Sequence, residues 1–413
     1  MTNLLSYAVI EKRDQEGKLI RLIKLTIILL IIVCVFDPYN KLLNIKYQIF
    51  CLAGVLFLIK IIFEQSRILI SSKLIVYIIF FVFIIPLSSI AYYFLINGDF
   101  NRFNGLAYFK PYLFLMILII LHALKIDLTK PSIIILSALS FVTLIIFFLY
   151  LNKLPLAYAI LVITEYNNIT TSGIRNFGGV DFLGVDFQSS PLIVLPIGYF
   201  AMKLHKFKGW KKLGIAVLLL VNISAMFIGG TRSNMIISVL LPLVVFVWYS
   251  RRKRVISITV FFILALFIFY NLNVVQGFFS EDDTSNSIKL VFFNDYMELF
   301  NQWDILLFGQ GLGSYFNSTI RGYVSVSELT YFEMIRRFGL ILSIFIFSLL
   351  LYPLSKLIFN HSRNHQSHYI FIAYFFYLII CFANPFLMGS TGMLFLALVL
   401  YKTFSKTSDL IKV

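Results

Sequence analysis

The run Leu74-Ile-Val-Tyr-Ile-Ile-Phe-Phe-Val-Phe-Ile-Ile-Pro-Leu-Ser-Ser-Ile-Ala-Tyr-Tyr-Phe-Leu-Ile96 decides the fold class, because it carries no charge over a length that crosses a bilayer. A spanning helix needs about 20 apolar residues at roughly 1.5 Å rise each, since hydrocarbon offers no water to a bare N–H or C=O. The same pattern recurs at Ile20 to Phe36, Tyr47 to Phe63, Leu106 to Leu124, Ser132 to Leu151, Pro191 to Leu204, Leu213 to Gly230, Ser233 to Tyr249, Val255 to Val274, Phe338 to Phe359, Tyr369 to Asn384 and Met393 to Phe404. The sixth span in chain order, from Pro191, and the last are short, which a tilt or a longer reach would accommodate. Over 413 residues the chain is 60% hydrophobic and 13% charged, against about 25% charged in soluble domains. The expected fold is an all-α polytopic membrane protein of about twelve transmembrane helices.

Basic residues from Lys12 to Lys24 precede the apolar run Leu25 to Phe36, and Asp37-Pro38-Tyr39-Asn40 follows it where a cleavage site would need small residues, so the run reads as a retained anchor. With the N-terminus inside, lysine and arginine concentrate on inner segments, including Lys203 to Lys212 and Arg251 to Arg254, and the acids concentrate outside. Both ends are then cytoplasmic. The net charge of +16 becomes a topogenic signal and a contact for anionic membrane lipid, which excludes nucleic acid as a partner. Cys34, Cys51 and Cys381 fall within apolar runs and read as small hydrophobes.

Two outer segments are long, 152–190 and 274–337, and long segments outside a scaffold role carry function. The first ends Gly173-Ile-Arg-Asn-Phe-Gly-Gly-Val-Asp-Phe-Leu-Gly-Val-Asp-Phe-Gln188. Its repeated Gly-Val-Asp-Phe puts Asp181 and Asp186 on irregular, glycine-permitted backbone. Acids and aromatic rings so interleaved suit a sugar, or else a solvated turn; Arg175 is a phosphate ligand or a surface charge. Arg232, in Gly230-Thr-Arg-Ser-Asn234, either snorkels to the interface or binds an anion at a helix start, where free N–H groups and an arginine fork favour phosphate.

The second segment holds Ile288, Val291, Phe292, Leu299, Phe300 and Trp303 at helical spacing, an amphipathic helix lying on the membrane or capping the bundle. Gly309-Gln-Gly-Leu-Gly313 lacks the spacing and setting of a dinucleotide turn. It implies instead a close approach of backbone to membrane or ligand. Last comes Ser325-Val-Ser-Glu-Leu-Thr-Tyr-Phe-Glu-Met-Ile-Arg-Arg-Phe-Gly339. Here Ser325 and Glu328 match a capping box. Glu333 with Arg336 and Arg337 has the spacing of helical ion pairs, and Glu333 and Arg336 are also candidates for the substrate site. The sequence shows no clustered His, Cys and Asp set for a metal.

Taken in order, Arg175 with its glycine turn, Gly230-Thr-Arg-Ser-Asn234, and Phe308-Gly-Gln-Gly-Leu-Gly313 leading to Glu328 and Gly339 resemble the bacterial O-antigen polymerase (Wzy) and O-antigen ligase superfamily. Ligases of that superfamily carry a histidine where this chain has Glu328. The five histidines here, His122, His205, His361, His365 and His368, fall at inner helix ends or in inner loops, so the polymerase branch is favoured.

The resemblance implies transfer of a growing glycan from undecaprenyl pyrophosphate to a lipid-linked repeat unit, at the outer face of the bacterial inner membrane, in O-antigen or related lipopolysaccharide synthesis. It implies no cofactor. Arg232, Arg175 and Arg321 would hold the pyrophosphate, and Glu328 would orient or deprotonate the acceptor hydroxyl. A chain-length regulator and a flippase of the same pathway are the implied protein partners. The alternatives are the ligase itself and a lipid-linked oligosaccharide flippase. A flippase would line its interior with charge, yet apart from Lys60 the spans carry almost none.

Overall fold

The computed structural model describes residues 2–64, 69–97, 105–177, 180–250, 284–355, 367–404 and 410–412, together with 255, 259 and 357. Apart from residues 255 and 259, the span expected at Val255 to Val274 lies outside these residues, as do the basic run Arg251 to Arg254, residues 274–283 of the second long segment, His361, His365 and the side chain of Arg175.

The chain opens with α1 (Thr2–Phe36, apolar from Gly17), α2 (Lys46–Glu64), β1 (Leu69–Ser71), α3 (Ser72–Ile96), α4 (Gly105–Ala123) and α5 (Thr129–Leu151). A short helix α6 (Pro155–Tyr166) and the strands β2 (Thr170–Phe177) and β3 (Val180–Phe187) lead into α7 (Ser190–Leu204), α8 (Gly209–Ile228) and α9 (Arg232–Tyr249). Beyond residue 283 come α10 (Thr284–Phe300), α11 (Trp303–Phe308), β4 (Phe316–Ser318), β5 (Gly322–Val324), α12 (Thr330–Leu354), α13 (His368–Ile380), α14 (Ser390–Phe404) and β6 (Leu410–Lys412). Eight of these helices are long and apolar enough to cross a membrane: α1 to α5, α8, α9 and α12. They expose apolar side chains such as Leu58, Ile62, Leu95 and Ile344, as a lipid-facing perimeter does.

The short spans sort differently. On α7, Val194, Leu195, Ile197, Ala201 and Met202 are all buried, and α13 and α14 are buried along most of their length. A helix apolar on every side belongs in an interior. Long helices α5, α8 and α9 surround α7 together with α13. Gly198 lets α7 and α13 touch, since a Cβ there would sit 3.3 Å from the Tyr369 carbonyl oxygen. Their shortness therefore goes with enclosure by protein.

The described residues also contain three two-stranded antiparallel sheets, β1–β6, β2–β3 and β4–β5. The segment 152–190, expected as an outer loop with helical content, holds a helix, but its part around Asp181 and Asp186, expected on irregular backbone, is a hairpin in which Gly173 pairs with Gly184 and Arg175 with Phe182. Glu165 of α6 clasps the hairpin, accepting from the Ser172 amide at 2.7 Å and its hydroxyl at 2.5 Å.

Candidate functional site

The start of α12 carries Glu333, Arg336 and Arg337 on one face, at the i,i+3 and i,i+4 spacings that bring helical side chains together. Arg336 grips Glu333 as a fork, Nε to Oε2 at 2.9 Å and Nη2 to Oε1 at 2.6 Å, and Arg337 Nε reaches Oε1 at 2.5 Å. The Tyr296 hydroxyl of α10 donates to Oε2 at 2.6 Å and accepts from the Ser327 hydroxyl at 2.6 Å; the Ser327 oxygen takes the Leu329 N–H at 3.2 Å. Burial, with the Glu333 carboxylate beside it, pushes the Tyr296 hydroxyl above its ordinary range and keeps it a protonated donor.

Other guanidinium N–H groups go to Gln310 Oε1 at 2.9 Å, Ser314 Oγ at 2.8 Å and the Ser325 carbonyl, 3.2 Å from Arg336 and 2.7 Å from Arg337. Ring faces of Phe316 and Tyr108 lie 4.9 and 4.0 Å from the two guanidinium carbons. Arg336 is 0% exposed and Glu333 5%. Their geometry follows the ion-pair reading of the spacing: both are buried, face inward and are bonded to each other and to the surrounding fold.

That core fixes the glycine run. Gly339 interrupts α12 at φ 71°, where the helical N–H ladder breaks and leaves the Arg336 and Arg337 carbonyls open. Gln310 and Gly311 fill them with their amides at 2.6 and 3.1 Å. Ser89 of α3 donates to the Arg337 carbonyl at 2.9 Å and accepts from the Leu312 amide at 2.9 Å. A Cβ on Gly309 would lie 2.5 Å from the Gly339 nitrogen, and one on Gly311 2.5 Å from Tyr93 Cβ. The close approach expected of this run is real, but the neighbours are the backbones of α3 and α12, not membrane or ligand.

Glu328 stands outside this core. It makes no capping bond: α12 begins at Thr330, and the cap position, Leu329, offers no side-chain bond. Instead Glu328 Oε1 lies 3.4 Å from Arg321 Nη2, and Oε2 lies 4.0 Å from Lys289 Nζ of α10. The three side chains are 34%, 45% and 29% exposed. One turn before Lys289, Asn286 accepts a short hydrogen bond from Arg232 Nη1 at the start of α9. Asn384, after α13, donates to Ser233 Oγ at 3.1 Å, and its carbonyl accepts from Thr330 Oγ1 at 2.7 Å. The contacts close a circuit: Arg232 to Asn286, along α10 to Lys289, to Glu328, on to Thr330, through Asn384 to Ser233, and back. Three cations and one carboxylate thus gather at one end of the helices. Such a set binds anions and, at the carboxylate, holds or takes a proton.

The hairpin reaches the same end. Alternation along β3 turns Phe182, Gly184 and Asp186 toward the turn between α8 and α9. Phe182 packs edge-on against Phe227 at 5.7 Å, and a Cβ on Gly229 would meet Asp186 Oδ1 at 2.9 Å. Asp186 is buried there against Gly229, which precedes Arg232 by three residues, while Asp181, five residues before Asp186, is exposed. The two acids therefore do not share one face. Arg175 lies opposite Phe182 in the hairpin register.

Lys289, Asn286 and Asn384 are the residues that the motifs did not single out. Lys289 sits between the apolar positions of an amphipathic pattern that was legible, whereas nothing local marks Asn286 or Asn384. Among the described residues no three His, Cys, Asp or Glu side chains converge as a metal site requires. No known protein family, curated protein or solved structure matches the chain.

Proposed function

We propose that this chain is a membrane glycosyltransferase of the bacterial inner membrane that polymerises lipid-linked oligosaccharide repeat units. The growing glycan is passed from undecaprenyl pyrophosphate to an incoming lipid-linked unit. The observation that carries the reading is the circuit that joins Arg232, Lys289, Arg321 and Glu328 from separate stretches of chain.

In the reaction the acceptor hydroxyl oxygen bonds to the anomeric carbon while its proton passes to the Glu328 carboxylate. The bond from that carbon to phosphate oxygen breaks, and its electron pair leaves on the lipid diphosphate. Arg232, Lys289 and Arg321 stabilise that charge, with Arg175 of the neighbouring hairpin the further candidate. In this reading about twelve spans leave both ends cytoplasmic, and the site faces the periplasm.

Polymerase is preferred to ligase because the described imidazoles lie at the opposite helix ends. His122 sits by the Phe404 carbonyl, His205 against Phe246 and His368 beside Trp248. A deletion strain should carry a single repeat on its lipid core; a strain with no attached glycan would make the chain the ligase. Arg232→Ala and Glu328→Gln should each lose the glycan ladder at normal membrane levels. A ladder that persists in Glu328→Gln defeats the mechanism.

A further inference from the structure

We infer that Glu328 is an internal stand-in for the substrate's diphosphate, holding Lys289 and Arg321 in the resting protein and released when the anion takes those cations over. The inference rests on the proposed anion site and adds its regulation: donor binding itself frees the base.

Two carboxylates in the same stretch of chain make the case. Glu333 is clasped at 2.5 to 2.9 Å by two buried arginines, whereas Glu328 meets its cations at 3.4 and 4.0 Å, with all three side chains partly in solvent. Contacts that long and wet are weak and exchange readily. A diphosphate brings more charge and more acceptor oxygens, and it suits the arginine fork.

The cations do not depend on Glu328 for their position. Arg321 lies over the Phe292 ring at 5.5 Å, and Lys289 projects from a helix whose Phe292 and Tyr296 are buried in a core of their own. The backbone around Glu328 is pinned on both sides, at the Ser325 carbonyl by Arg336 and Arg337, at Ser327 by Tyr296, and at Thr330 by Asn384. Exchange therefore needs only a side-chain rotation, which leaves the carboxylate beside the bound diphosphate, where the acceptor hydroxyl must arrive.

The test measures binding of a polyprenyl diphosphate to the full chain in lipid nanodiscs, with inorganic pyrophosphate run beside it. Glu328→Gln keeps the shape and removes the competing charge, so it should bind both probes about three- to tenfold tighter, the worth of two relieved surface pairs. Lys289→Ala and Arg321→Ala should bind both more weakly by about threefold or more. Glu298→Gln, which removes an exposed acid elsewhere on α10, should bind as wild type.

Unchanged or weaker binding in Glu328→Gln, or equal tightening in Glu298→Gln, overturns the stand-in while leaving the anion site in place. Rank orders that differ between the two probes also overturn it, because the exchange takes place at the headgroup. If Arg232→Ala, Lys289→Ala and Arg321→Ala all bind as wild type, the anion-site reading itself falls.

Discussion

Glu328 and Glu333 are separated by little more than one helical turn and have opposite surroundings, and their substitutions should differ accordingly. Removing Glu333 leaves two buried guanidinium groups without their shared carboxylate, a loss of about 3–5 kcal/mol. Glu333→Ala should therefore lower the unfolding temperature sharply in detergent, while Glu328→Gln stays within about 1 kcal/mol of wild type. Equal stability of the two variants would refute the division into core and site.

Tyr296 supplies a pH test. Its hydroxyl is raised in the fold above the value near 10 of an unfolded tyrosine, by burial first and by Glu333 second. A raised group contributes its stability below the unfolded value and loses it as pH climbs toward the folded one. The chain should lose stability above about pH 10, and a Tyr296→Phe variant, less stable at neutral pH, should lose less over that alkaline range. At this scale the sequence showed which residue types matter but not their depth: a capping box and a site carboxylate look alike at Glu328 until its neighbours from α10 and the β4–β5 turn are in place.

Among the elements, α12 depends on an interruption. Its break at Gly339 supplies the open carbonyls that seat the run from Gly309 to Gly313; a Cβ on Gly309 would run into the Gly339 nitrogen, and one on Gly339 into the backbone of Leu307 and Phe308. Gly339→Ala combines a strained positive φ with overlap on the Leu307–Phe308 backbone, so it should cost more than the roughly 1–3 kcal/mol of strain alone. Limited proteolysis should then cut the variant between α11 and β4, where the wild type resists; a resistant variant would show that the seat tolerates a shift. The α10 helix was legible because its apolar period matches 3.6 residues. The β2–β3 hairpin was not, since the repeat at a spacing of five hid the alternation that turns Asp181 and Asp186 to opposite faces.

Across the whole molecule, apolar composition marks a helix as buried without saying whether lipid or protein buries it. That is why the eight long helices were legible as spans, and α7 and α14 as short ones, while α13 read as a span like the long helices although only its shorter, buried helix forms. The distinction becomes measurable at Gly198, in the middle of α7 against the Tyr369 carbonyl, and at Leu58 on the perimeter of α2, which is 57% exposed. Gly198→Leu forces a side chain between two helices in contact and should destabilise by about 1–3 kcal/mol or more. Leu58→Ala removes more side chain than most substitutions yet disturbs no protein neighbour of that kind, and it should stay within about 0.5 kcal/mol. Thermal unfolding in one detergent decides between them. If Gly198→Leu is as stable as Leu58→Ala, then α7 is not enclosed, and the arrangement that presents Arg232 at the end of α9, packed directly on α7, would have to be drawn differently.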